Sequence, residues 1–355
     1  MVMSNFWSSR NVLLTGHTGF KGSWLSLWLQ QRGARVAGLS LAPPSSPNLF
    51  EDARVAEGMT SITADVRRPD QLAPAFQTIQ PDIVLHLAAQ SLVRESYLQP
   101  AATYETNVMG VAHVLDAVRQ TPSVRAVVIV TSDKCYENRE WLWGYREGEA
   151  MGGHDPYSSS KGCAELVTSA YRRSFFSAGP TFLASARAGN VIGGGDWAAD
   201  RLIPDAVRAF RDRRPVRLRN PLATRPWQHV LDCLRGYLML AQRLYEEGAP
   251  FADAWNFGPS EEDHLCVQGV MDRMCRAWGD GARCETDPDA HPHEAQSLRL
   301  DHTRARVRLG WKPVLRLEDA LRMTSDWYRA WAPGKNMRTI TEQQIRFFEE
   351  HIPQP

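Results

Sequence analysis

Along the first half of the chain, short runs of apolar, often β-branched residues alternate with longer stretches of helical period. Runs without polar interruption mark strands buried on both faces, and their alternation with helices predicts a doubly wound α/β fold built on a parallel sheet. Strands are read at about 11–15 (N-V-L-L-T), 35–40, 60–64, 82–87 (D-I-V-L-H-L), 124–131 (V-R-A-V-V-I-V-T) and 181–186, with helices filling the gaps. From Gly193 onward the rhythm loosens into glycine- and proline-bearing loops with shorter elements. That change predicts a smaller C-terminal domain set over the ends of the sheet. No repeat or low-complexity segment interrupts the pattern.

With 355 residues, 43% apolar and 23% charged, the chain has enough material for one large or two moderate cores. The formal net charge is +1 and no basic run stands out, which argues against nucleic acid as a partner. The start M-V-M-S-N-F-W-S-S-R lacks the basic and apolar regions of a secretory signal. No stretch approaches the roughly 18 uninterrupted apolar residues of a membrane span, so a cytoplasmic protein is expected. The six cysteines form no Cys-x-x-Cys pair and have no histidine at zinc-ligand spacing; neither a disulfide framework nor a metal site is expected. Of 41 basic residues only five are lysines (21, 134, 161, 312 and 335), so a lysine inside a motif points to chemistry that arginine does not offer, above all the loss of its proton when buried.

Residues 12–22, V-L-L-T-G-H-T-G-F-K-G, run from a buried strand through spaced glycines into the apolar helix S-W-L-S-L-W-L. In such a turn Gly16 permits the tight bend, Gly19 lets backbone approach a pyrophosphate, Gly22 allows close helix packing, and the helix N-terminus attracts phosphate. The pattern predicts a dinucleotide site. The carboxylate expected at the end of the second strand to hold the adenosine ribose is missing from V-A-G-L-S-L-A-P-P. Ser40 can bond a ribose hydroxyl without repelling a phosphate, so NAD and NADP are both compatible. Asp65, after the third strand, is a candidate for the adenine amino group or a plain strand-end aspartate.

The strand at 124–131 ends in T-S-D-K-C-Y, and about 25 residues later comes D-P-Y-S-S-S-K-G-C-A-E-L-V. Tyr157 and Lys161 are four apart, hence on one face of a helix, where the ammonium is expected to lower the phenol pKa and make Tyr157 a usable base. Thr131 is expected to hydrogen-bond the same phenol. Tyrosine, lysine and a nicotinamide suffice to oxidise an alcohol. They leave Asp133 and Lys134 unexplained. A ketone at carbon 4 of a hexose acidifies the hydrogen on carbon 5; a base there and an acid at the carbon 6 hydroxyl would expel water, and Asp133 with Lys134 are candidates for that acid and base. The roles require a raised carboxyl pKa and a lowered lysine pKa, both favoured by desolvation.

The segments T-G-H-T-G-F-K-G-S-W-L-S-L-W-L, H-L-A-A-Q, T-N-V-M-G, V-T-S-D-K-C-Y-E-N, W-G-Y-R-E, D-P-Y-S-S-S-K-G-C-A-E-L, R-A-G-N-V-I-G-G-G-D-W and R-P-W-Q-H-V-L-D together resemble the CDP-glucose 4,6-dehydratases, within the extended short-chain dehydrogenases. The resemblance runs over nearly the whole chain. Relatives acting on dTDP-glucose carry Asp-Glu where this chain has Asp133-Lys134, and UDP-galactose 4-epimerases lack such a pair. The resemblance implies a Rossmann domain over 1–190, to which 226–258 return, and a nucleotide-sugar domain over 191–225 and 259–355. It further implies that Thr18, Phe20, Lys21, Ser40, Asp65 and Val66, with Leu87, Ala88 and Ala89, line the dinucleotide, and that Asn107 steadies the central helix. Gln90, Asn190, Arg201, Arg225, His293 and Glu294 are implied on the substrate side, Arg225 on a phosphate, with His291 a further candidate; Trp227 and His229 read as framework. Helices near 101–119 and 156–178 are implied to pack against a second subunit, giving a homodimer or a higher assembly such as a tetramer. Rival readings are an epimerase or reductase of the same fold, which would not need Asp133 and Lys134, and a non-catalytic dinucleotide sensor, which would not need Tyr157 and Lys161.

Overall fold

The computed structural model describes residues 5–289 and 295–353. Its large sheet contains β1 (Asn11–Thr15), β2 (Arg35–Ser40), β3 (Thr60–Thr63), β4 (Ile83–His86), β5 (Ala126–Val130), β6 (Phe182–Ala188) and a late strand, Ala254–Phe257. Three strands fall between β6 and that late strand: β7 (Asn190–Ile192), β8 (Val216–Leu218) and β9 (Thr224–His229), so the late strand is β10. The order is β10-β6-β5-β4-β1-β2-β3, and every pairing is parallel.

Strand alternation explains why both faces are covered. Val12, Leu14, Ile83, Leu85, Val128 and Val130 enter one core, with Trp24 and Trp28 of the helix Phe20–Gln31 and Leu234 and Leu238 of the helix Val230–Glu247. Their neighbours Leu13, Val84, Val127 and Ile129 enter the other, against the helices Pro69–Ile79, Gly110–Arg119 and Pro156–Ser174. Side chains two apart on a strand share a face, so a central strand must be apolar throughout to serve both, while the edge strand β3 (T-S-I-T) is largely exposed. The helical run predicted near 101–119 is present over Pro100–Arg119, but a π-turn at Glu105–Met109 interrupts it.

The remaining strands form two smaller sheets. A three-stranded sheet has the order β11-β9-β7, with β11 at His264–Cys266; β12 (Cys284–Thr286) pairs with β8. The buried Asp232 carboxylate on the helix Val230–Glu247 accepts the N–H groups of Val314 (2.6 Å) and Leu315 (3.3 Å), and Trp311 donates its indole N–H to the Asp232 carbonyl (3.1 Å). The C-terminal segment is thereby tied to a helix of the large sheet.

One position of that helix gives a test in which two effects oppose. A Cβ on Gly236 would come 2.3 Å from the Phe257 ring, which is itself wedged against Tyr237 and Trp311. Gly236→Ala gains up to about 1 kcal/mol of helix propensity, yet forcing a packed ring aside costs about 1–3 kcal/mol. The collision wins because the ring has no free direction. A urea midpoint lower than wild type is expected; an increase would show that the α-helix/β10 contact yields freely.

Candidate active site

Gly16 follows β1 with φ +76°, and a Cβ there would stand 2.7 Å from the Ala88 amide nitrogen. A Cβ on Gly22 would come 2.1 Å from the Gly16 carbonyl oxygen. These approaches leave a bare backbone cradle between the turn and residues 87–89. The helix Phe20–Gln31 starts from Gly19 with no side-chain cap, so its first amides stay free to meet an anion. Donor geometry and cradle both fit a dinucleotide pyrophosphate.

Around the cradle, the Thr18 hydroxyl bonds the Leu41 carbonyl (2.9 Å) and the Ser40 hydroxyl (2.7 Å). Ser40 therefore lines the cleft with its hydroxyl already engaged. Asp65 is likewise engaged, by the Arg67 guanidinium at 2.6–3.1 Å, which holds its carboxyl below the usual range. Val66 is buried against Gly110. His17, a buried residue the sequence reading did not single out, bonds Ser61 (2.7 Å) and fills the space above Gly38; burial pushes it down to about 4. On the opposite wall, Leu87 and Ala88 donate their N–H groups to the backbone and hydroxyl of Thr15 (3.1 and 3.2 Å), and Ala89 follows in the lining. Asn107, carried by the π-turn, accepts the Gln90 N–H and donates to the Gln90 carbonyl and to Ser160 on the Tyr157 helix.

Tyr157 and Lys161 are both buried, with the lysine nitrogen 6.0 Å from the phenol ring centre. Two expectations are corrected here. Burial pushes the phenol up to about 12, not down, and pushes Lys161 down to about 8; at this separation, desolvation outweighs the ammonium's pull. Thr131 does not reach the phenol. Its hydroxyl donates to Glu165 (2.5 Å), and the neighbouring side chain that works against burial at the Tyr157 phenol is Ser132. Successive residues of an extended segment face opposite sides, so Thr131 and Ser132 cannot both face the phenol, and that alternation was the available signal.

Asp133 is 2% exposed. Its Oδ1 accepts the Ser132 hydroxyl (2.9 Å), while its Oδ2 is buried with no hydrogen-bond partner among the described residues. Burial raises its pKa, against the opposing pull of Lys134, Ser132, Arg225 and Lys21. Lys134 is half-buried beside it. Lys21 is half-buried, 3.4 Å from the Tyr237 hydroxyl, with its pKa lowered by desolvation. Three of the five lysines thus line one cleft, a space of about 1100 Å³ that also takes in Phe20 and Asn190.

On the substrate side the side chains are more occupied than expected. Gln90 lines the cleft, but its amide donates to the Leu92 carbonyl and Thr103 and accepts the Leu92 N–H. Arg201 pairs with Asp196 (3.0 Å) and bonds Ser91 (2.8 Å). Arg225, expected on a phosphate, lies on backbone carbonyls of Thr224 (2.9 Å), Ala295 (2.5 Å) and Gln296 (3.4 Å). Trp227 donates its indole N–H to the Leu265 carbonyl, and His229 caps the helix Val230–Glu247, so both are framework. His291, His293 and Glu294 lie outside the described residues.

A glycine cradle at the edge of a parallel sheet, beside a tyrosine–lysine pair and a buried carboxyl, defines an oxidoreductase-type cleft with an added acid. The sequence profile described as GDP-mannose 4,6 dehydratase matches residues 13–324, and the chain belongs to that family. It is 52% identical over 350 residues to a CDP-glucose 4,6-dehydratase of Salmonella typhimurium, covering 97% of this chain and 98% of that one. Among solved structures, a dTDP-glucose 4,6-dehydratase of Streptomyces venezuelae with NAD and TYD bound superposes with a TM-score of 0.77 at 23% identity, covering 92% and 99% of the two chains. A UDP-glucose 4-epimerase of Thermus thermophilus in complex with NAD gives 0.79 at 24% identity, covering 90% and 99%. These structural likenesses concern the fold.

Gly16→Ala tests the cradle. The positive φ and the collision with Ala88 both oppose a methyl group, so the turn must open. Dinucleotide affinity, titrated by tryptophan fluorescence, should fall at least about tenfold, corresponding to ~1.4 kcal/mol. Unchanged affinity would place the dinucleotide elsewhere.

Proposed function

We propose that the protein removes water from CDP-D-glucose, giving CDP-4-dehydro-6-deoxy-D-glucose, with NAD as its dinucleotide. The observation that carries this reading is the Asp133 carboxyl, buried with one oxygen unpartnered among the described residues, next to Lys134 and facing the same cleft as Tyr157 and Lys161. An oxidation alone would need only the tyrosine and lysine. The 52% identity to the Salmonella CDP-glucose 4,6-dehydratase supports the choice of substrate, and the NAD present in the neighbouring solved structures supports the dinucleotide.

In this reading the first amides of the helix Phe20–Gln31 and the Gly16 cradle would hold the dinucleotide, which when bound would supply the hydride acceptor and donor. Tyr157 takes the proton of the carbon 4 hydroxyl, steadied by Ser132 and by the Lys161 ammonium. Asp133, protonated through burial, gives its proton to the departing carbon 6 hydroxyl. Lys134 takes the carbon 5 proton and returns one to the same carbon when hydride arrives at carbon 6. Arg225, Asn190 and Arg201 receive the nucleotide sugar, Arg225 exchanging backbone carbonyls for phosphate oxygens. A homodimer through the helical run Pro100–Arg119 and the helix Pro156–Ser174 is also proposed; Met109 and Leu166, 48% and 59% exposed, are the apolar residues it would cover. Sedimentation at twice the 39.9 kDa chain mass is expected, and a monomer at micromolar concentration would exclude it.

Incubation with the glucose esters of CDP, dTDP, UDP and GDP should give a product lighter by one water from CDP-glucose. Deuterium at carbon 4 should reappear on carbon 6; its loss to solvent would contradict hydride return. Lys134→Met should still oxidise carbon 4 but not eliminate, so the reduced-nicotinamide absorbance near roughly 340 nm should accumulate without solvent deuterium entering carbon 5. Normal elimination by this variant would place the base elsewhere.

A further inference from the structure

Tyr157, Lys161 and Glu165 are spaced four apart on the helix Pro156–Ser174 and share its inward face. Glu165 is 3% exposed. Its Oε1 accepts the Thr131 hydroxyl (2.5 Å); its Oε2 accepts the Ser185 hydroxyl and an Arg187 N–H, both at 2.7 Å. Arg187, on β6, continues to the Tyr136 hydroxyl (2.7 Å) and the Glu147 carbonyl (3.1 Å). The Tyr136 hydroxyl then donates to Asn256 on β10 (2.7 Å). A buried ion pair contributes little or nothing to stability compared with apolar packing of the same volume. The surrounding β5 and β6 positions are filled almost entirely by valine, isoleucine, leucine and alanine, so stability does not explain why a carboxylate stands here.

What the carboxylate faces gives a reason. Lys161 has Lys21 near it from the helix Phe20–Gln31, Cys135 from the turn after β5, His86 from β4, and Tyr157 and Glu165 from its own helix. Burial and the Lys21 ammonium both favour the neutral amine. Glu165 opposes them, one helical turn away and fixed by three hydrogen-bond donors.

We infer that Glu165 is a positioning residue for the Tyr157–Lys161 pair, holding Lys161 in the ammonium form against the burial and like charge that surround it. The inference rests on the proposed reaction only in assigning work to that pair. Its physical content is a charge on one lysine. Without the carboxylate, the ammonium is lost at lower pH. A group half-ionised at about 8 that drops by about one pH unit keeps its proton about fivefold less often at pH 8.

The test is competitive labelling of Lys161 with acetic anhydride between pH 6 and 10, read by peptide mass on the ligand-free protein. Wild type should half-titrate near 8. Glu165→Gln, which keeps the shape and removes the charge, should fall by about one pH unit, and Glu165→Asp should restore most of it. The alkaline limb of kcat/KM for CDP-glucose should move by the same amount in the same direction. Should Glu165→Gln leave Arg187 unpaired and misfold, the double variant Glu165→Gln/Arg187→Met removes both buried charges, and Lys161 should titrate low in it as well. Wild-type titration of Lys161 in any folded variant lacking the carboxylate overturns the inference. A shifted Lys161 in a protein that never acts on CDP-glucose would overturn the substrate reading and leave this inference standing.

Discussion

Parallel pairing is the constraint on which everything else in this molecule depends. It sends the carboxyl end of each large-sheet strand to one edge, so the loops after Thr15, Ser40, His86, Val130 and Ala188 all open on the same side. Between β4 and β1 the strand order reverses direction, and adjoining loops must part there, leaving a crevice. The uncapped helix after Gly19, the backbone of residues 87–89 and the turn carrying Asp133 and Lys134 meet in that crevice without any one of them being long. The second set of strands then roofs it.

Enclosure has an electrostatic consequence that applies across the site. Removing water disfavours charge on every group alike, so Asp133 and Tyr157 move up while Lys21 and Lys161 move down. Protons therefore stay on the acids and are loosened on the lysines. That is the arrangement an elimination wants from Asp133, and it is the opposite of what a phenolic base wants from Tyr157. The Ser132 hydroxyl and the Arg201 guanidinium are the groups that work against burial at the phenol.

Six of the seven strands of the large sheet were legible in the sequence, the central ones because each must satisfy two apolar faces, which leaves an unbroken run, and the edge strand β3 (T-S-I-T) by its β-branched residues. β10, A-W-N-F, was not read as a strand: four residues with a polar one among them carry no period, and their partner β6 lies some 70 residues earlier. In the site, what is local was legible. Tyr157 and Lys161 are related by one helical turn, and the glycines by one loop. The engagement of Thr131 with Glu165 was not, since it depends on which side an extended segment turns at its last residue. Nor were the Ala295 and Gln296 carbonyl partners of Arg225, which come from a segment some 70 residues away. Side-chain chemistry declares a residue's capacity; only the fold decides how much of that capacity is already spent.

The π-turn at Glu105–Met109 bears on how this chain can vary. Such a turn holds one residue more than an α-helix would, and it advances everything after it by about 100° around the axis, since 3.6 residues make a turn. Asn107 occupies the widened stretch, bonded at once to Gln90 and Ser160. Deleting a single residue here would yield a smoother helix and swing either Asn107 or the apolar face of Gly110–Arg119 out of place. Surface loops of the protein can gain or lose residues at small cost, but the length of this helix is locked, and an insertion of one residue, once accommodated by Asn107, has no neutral route back.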